Sequence, residues 1–101
     1  MKRVRTRGPP GTASYTLDMV VRITGVGHEM LAEYCEHGLL PVAAAELEAA
    51  AFDDHLLCAI RRIAFLRERR GINLAGIRII NELLAEVERL RRELRFARDV
   101  G

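Results

Sequence analysis

The chain has 101 residues, 50% of them apolar and 30% charged. That length and balance describe one small soluble domain with an extension, outside the composition range of disordered chains. No apolar run approaches the ~20 residues of a membrane span, and two cysteines are too few for a disulfide framework.

The net charge of +2 is unevenly spread. Residues 1–13 carry four positive charges and no negative one. Residues 14–51 carry six negative charges and one positive, residues 52–71 five positive and three negative, and residues 72–101 six positive and five negative. Asymmetry of this kind bears on partners rather than on fold. No apolar stretch follows the basic start, so a secretory signal is not expected. The cysteine usage fits a reducing cytoplasm.

Residues 1–13 read as a flexible basic tail, because Gly8, Pro9, Pro10 and Gly11 break any helix. Thr16 is a good N-cap, and Leu17, Val20, Val21 and Thr24 follow at helical spacing. Gly25-Val26-Gly27 ends this first helix. A second runs from about His28 to His37, with Met30, Leu31, Tyr34 and Cys35 as its apolar face, and Gly38 stands at its C-cap. Two short helices around a glycine turn predict helix-turn-helix geometry. Residues 42–51 are alanine-rich; their composition allows a helix, and their position suggests a small two-stranded wing, which is the expectation adopted.

Asp53 caps a third helix, with Asp54 in its first turn and Gly71 after a cationic last turn of Arg67, Arg69 and Arg70. Asn73 caps the last helix, which runs to about Arg98. Gly76, Ile80, Leu83, Val87, Leu90, Leu94 and Ala97 recur at four- and three-residue steps, a heptad seam. So small a body cannot bury the far end of that seam. Ile80, Leu83, Val87, Leu90 and Leu94 therefore predict a homodimer. The expected fold class is mainly all-α: a flexible tail (1–13), a winged helix-turn-helix head (14–71) and a long coiled-coil dimerisation helix (72–101).

No catalytic constellation emerges, and the protein is not expected to be an enzyme. Ser14 is the only serine, and Gly25-Val26-Gly27 lacks the lysine and preceding strand of a phosphate loop. Cys35 with His37, and His55 with Cys58, make pairs rather than metal sites. No metal, cofactor or small-molecule ligand is expected. DNA binding must be tested against charge. A recognition helix lies among phosphates and depends on Lys and Arg. The second helix instead holds Glu29, Glu33 and Glu36 with no Lys or Arg. DNA is therefore an unfavourable partner; the three glutamates form either a solvated helix face or an acidic face that docks a basic protein.

Tyr15-Thr16-Leu17, the run Tyr34-Cys35-Glu36-His37-Gly38-Leu39-Leu40, and Gly71-Ile72-Asn73-Leu74-Ala75-Gly76-Ile77 resemble MerR-type regulators. With Phe52-Asp53-Asp54-His55 and Phe65-Leu66-Arg67, the chain is most similar, over residues 14–98, to the CbpM family of chaperone modulators. The resemblance implies a protein that binds the J-domain of the DnaJ-like co-chaperone CbpA and blocks its stimulation of Hsp70. It departs from DNA-binding MerR regulators at Ala32, where those carry a phosphate-binding arginine, and in residues 42–51, which lack their arginine and glycine-aromatic pair. The resemblance supplies no contact list. Charge assigns the J-domain contacts to Glu29, Glu33 and Glu36, with Asp53 and Asp54. The alternative is a dimeric MerR-like transcriptional regulator, in which the basic tail with Arg61, Arg62, Arg67, Arg69 and Arg70 would meet phosphates. A parallel dimer would set Glu86 opposite Arg91 and Glu93 opposite Arg98. MerR-like proteins resemble antiparallel dimers, and that orientation is expected here.

Overall fold

A computed structural model describes residues 4–5 and 13–100. The expected flexible tail falls mostly on residues outside that set. Within it, β1 (Val4–Arg5) pairs antiparallel with β2 (Ala13–Ser14), Val4 opposite Ser14 and Arg5 opposite Ala13. The remaining elements are helices: α1 (Leu17–Thr24), α2 (His28–Glu36), a 3-10 helix (Ala44–Ala49), α3 (Asp54–Arg70) and α4 (Leu74–Val100). The mainly all-α class with a helix-turn-helix and a long last helix is what the structure shows.

The helix ends follow from local chemistry. The Thr16 hydroxyl accepts from the Met19 N–H, and Gly25 takes the left-handed conformation that closes α1, with φ 75°. The Thr24 hydroxyl then stiffens the turn, donating to the Val20 carbonyl and accepting from the Val26 N–H. Beyond α2, Gly38 donates to the Cys35 carbonyl and Leu39 to the Tyr34 carbonyl, which is the Schellman pattern with a buried apolar residue after it. Asp53 accepts from Leu56 N–H at the head of α3, and Asn73 accepts from Gly76 N–H at the head of α4.

Residues 42–51 depart from expectation. They form no two-stranded wing; Ala44–Ala49 is a 3-10 helix whose Leu47 is buried. Alanine favours helical backbone, and the segment has only Val42 to favour a ladder. Leu47 anchors the short helix, which packs on both α1 and α2.

The core is one cluster in which Val20, Leu31, Tyr34, Phe52, Ile60, Ile63 and Ile77 are wholly buried. Each such side chain contributes about 1.5–3 kcal/mol by leaving water. Tyr15 and Phe52 exchange both backbone hydrogen bonds, N to O at 2.6 and 3.0 Å. That bridge ties the entry of α1 to the entry of α3. After Gly71, α4 folds back along α3, so that His55 and Arg62 stand beside the Asn81–Arg91 stretch. Only Leu74 and Ile77 of α4 are buried. At ~1.5 Å per residue α4 is about 40 Å long. It stretches the molecule to 48 × 38 × 24 Å, with a radius of gyration of 15.7 Å against ~13 Å for a compact domain of this size.

Candidate partner-binding surfaces

The two faces of α2 divide sharply. Leu31, Tyr34 and Cys35 are buried, while Glu29, Glu33 and Glu36 are exposed. Steps of four and three residues hold the three carboxylates within about 60° of one another around the helix axis. Gly27 opens α2 without a side-chain cap, and Glu29 in the first turn answers the helix dipole instead. The result is a stripe of negative charge with no cation on its own helix.

Its surroundings add detail that spacing along α2 does not contain. The Tyr34 phenol is raised above its ordinary pKa by burial, with Arg67 opposing and Glu68 and Glu33 reinforcing the shift. The last turns of α3 thus lie within electrostatic reach of Tyr34. Burial also raises the Cys35 thiol, helped by Glu36. It is a neutral core thiol, whereas Cys58 is exposed. At the other end of α2, a shallow groove is lined by Glu29, Ala32 and the 3-10 helix residues Leu47 and Glu48. Glu48 therefore extends the acidic face, a partner hidden while residues 42–51 read as a wing. His28 Nε2 stands 3.5 Å from Asp18 Oδ1 beside it.

Asp53 and Asp54 also hold local structure. Asp53 caps α3, and Asp54 Oδ1 accepts a 2.5 Å hydrogen bond from the Tyr15 hydroxyl. Both remain exposed, but each already holds the fold together. No spacing could reveal the second bond, whose partners lie 39 residues apart.

The seam of α4 lies in water. Leu83 is 60% exposed, Val87 42%, Leu90 49% and Leu94 61%, while Ile80 is partly covered. Arg89 binds Glu86 and Glu93 on its own helix, which lowers the Glu86 carboxyl below its ordinary pKa through the guanidinium hydrogen bond. Among the described residues, no three His, Cys, Asp or Glu side chains group as a metal site, and no helix is long and apolar enough to cross a membrane.

Helix, glycine turn, helix and a long terminal helix define the regulator class: the family model described as "MerR HTH family regulatory protein" matches residues 15–98. The chain is also similar to the chaperone modulatory protein CbpM of Citrobacter koseri, 32% identical over 85 residues, 84% of each chain. The chain belongs to the CbpM family, built on the MerR-type helix-turn-helix fold. No solved structure matches it.

Proposed function

We propose that this protein is a chaperone modulator that binds the J-domain of a DnaJ-like co-chaperone and keeps it from stimulating Hsp70. The acidic stripe Glu29, Glu33 and Glu36 of α2 carries the reading: it is exposed, unmixed with cations, and set where a DNA-binding relative would need positive charge. The likeness to a chaperone modulatory protein supports the same partner class. Asp53 and Asp54 add negative charge at the head of α3. The protein works in the cytoplasm as a homodimer joined along α4, without catalysis and without a cofactor. The exposed stripe of Leu83, Val87, Leu90 and Leu94 supports the dimer.

The deciding experiment is calorimetric titration of a purified cationic J-domain, with circular dichroism as the folding control. Glu33→Lys is expected to slow association and weaken binding at low salt, because charges at an interface rim act mainly on encounter. A wild type that binds no J-domain overturns the reading. Unchanged affinity in a folded Glu29→Lys/Glu33→Lys/Glu36→Lys protein moves the contact off α2. The second reading is a DNA-binding regulator. One observation favours it: Arg61, Arg62, Arg67, Arg69 and Arg70 of α3 make no ion pair among the described residues.

A further inference from the structure

The shallow groove between α2 and the 3-10 helix differs from the rest of the acidic face in having an apolar lining. Leu17 and Leu47, both buried, and Ala32 and Ala44, both partly exposed, supply it. Glu29 of α2 and Glu48 of the 3-10 helix add an exposed carboxylate from each element. Neither makes an ion pair among the described residues. No Lys or Arg lines the groove, and its one basic side chain, His28, stands 3.5 Å from Asp18. The volume is about 260 Å³, below the range of about 300–1,000 Å³ typical of small-molecule sites. That is room for one long side chain rather than for a cofactor.

We propose that this groove holds one long cationic side chain, a lysine or an arginine, from the basic surface of the co-chaperone. The aliphatic stem covers the alanine methyls and the leucine edges, and the charged head reaches Glu29 and Glu48. Lysine and arginine are the side chains that join such a stem to a cation. Charge on both sides makes the hydrogen bonds of the head stronger than neutral ones. The two acids are unequal. The positive end of the α2 dipole already offsets part of the Glu29 charge in the first turn, so Glu48 carries the larger share. Other occupants answer only half of the site. A purely aliphatic side chain suits the lining but leaves two carboxylates without a cation. A hydrated metal ion has no use for the apolar lining, and a phosphate is repelled by the rim. The source of the side chain rests on the J-domain reading; the chemistry of the groove does not.

Two measurements on the full chain separate the groove from its source. In the first, the isotope-labelled protein is titrated by NMR with the blocked amino acids Nα-acetyl-lysine methylamide and Nα-acetyl-arginine methylamide. Nα-acetyl-norleucine methylamide supplies the stem without the charge. The cationic probes are expected to shift the amides of Glu29, Ala32, Ala44 and Glu48 at millimolar concentration, and norleucine at least tenfold less. The tighter of the two cations identifies the head. In the second, a purified J-domain is titrated into folded variants. Glu48→Gln is expected to lose at least fivefold in affinity. Glu46→Gln removes the same charge from the same short helix but outside this groove, and should change affinity less than twofold. Ala32→Met fills the groove with a neutral stem of the protein's own and should lose at least fivefold. No shift at the groove with either cationic probe overturns the proposal, as does equal J-domain affinity in Glu48→Gln and Glu46→Gln. Light scattering that gives Glu48→Gln a lower mass than the wild type assigns the groove to an arginine of a second copy and overturns it too. A wild type that takes the cationic probes here but binds no J-domain overturns the J-domain reading and upholds the groove.

Discussion

Gly76 occupies the third position of α4, where its N–H meets the Asn73 side chain at 2.8 Å. A methyl group there would stand 2.9 Å from Ile72 Cγ2 and 3.3 Å from Asn73 Oδ1. In an open helix Gly→Ala gains about 1 kcal/mol. Here the crowded methyl is expected to outweigh that gain, so Gly76→Ala should lower the melting temperature. A higher melting temperature would show that Ile72 gives way. Asn73→Ala should cost about 1 kcal/mol, or some 4–8 °C in a domain of this size. The same position shows where the apolar seam begins: Gly76 is crowded by its own chain, so the seam left for a partner starts only near Ile80. Two other residues tie stability to pH. Burial raises both the Tyr34 phenol and the Cys35 thiol, so both stay neutral in the fold and ionise more readily when unfolded. Their contribution is complete below the ordinary thiol range and is lost as pH rises through the thiol and then the phenol range. Thermal melts at pH 7 and about pH 10 should show a drop that is smaller in Tyr34→Phe/Cys35→Ala. An equal drop in both proteins refutes the assignment.

At the scale of elements, α4 bears on its own pairing. A parallel dimer could draw on Glu86 and Glu93 to meet the partner's arginines, but Arg89 already holds both on the same helix. With those carboxylates occupied, the parallel pair loses its electrostatic advantage, and Glu86 facing a like charge across an antiparallel pair is less costly. An antiparallel dimer centred on Val87 places spin labels on Arg98→Cys roughly 30 Å apart, whereas a parallel one leaves them near the ~10 Å spacing of packed helices. Light scattering is expected to give twice the chain mass for the wild type and one chain's mass for Leu90→Asp. A wild type that stays monomeric at tens of micromolar removes the dimer. The helices themselves were legible from the chain because their signals are local: Thr16, Asp53 and Asn73 at the starts, Gly25 and Gly71 at the ends. The Ala44–Ala49 turn was not, because alanine suits several backbones. What decides the segment is the burial of Leu47 in packing with α1 and α2, a tertiary fact. The same holds for the surfaces. The α2 stripe is a matter of spacing within one helix, while the enlistment of Glu48 and the bond from Tyr15 to Asp54 depend on contacts between distant parts of the chain.

The molecule as a whole is electrically two-sided, acidic through α2 and the 3-10 helix and basic along α3. A two-sided charge attracts nucleic acid weakly at one end and repels it at the helix that would have to read bases. Labelled genomic duplexes at ~0.15 M salt should therefore show no sequence-selective complex in the 10⁻⁸ M range of specific binders. Such a complex would favour the regulator over the modulator. The acidic side is also tied at both ends. The Tyr15–Phe52 bridge pins both ends of residues 16–51, so that α1, α2 and the 3-10 helix form a closed excursion from the rest of the chain. Closing it costs chain entropy once, and breaking the bridge returns that entropy to the whole excursion. The segment should consequently open as a unit, its amides exchanging with solvent hydrogen at one common rate distinct from that of α3. A partner gripping α2 would then slow exchange as far away as the Tyr15–Phe52 bridge, and the surface that receives the partner would carry the signature of binding through a part of the fold the partner never touches.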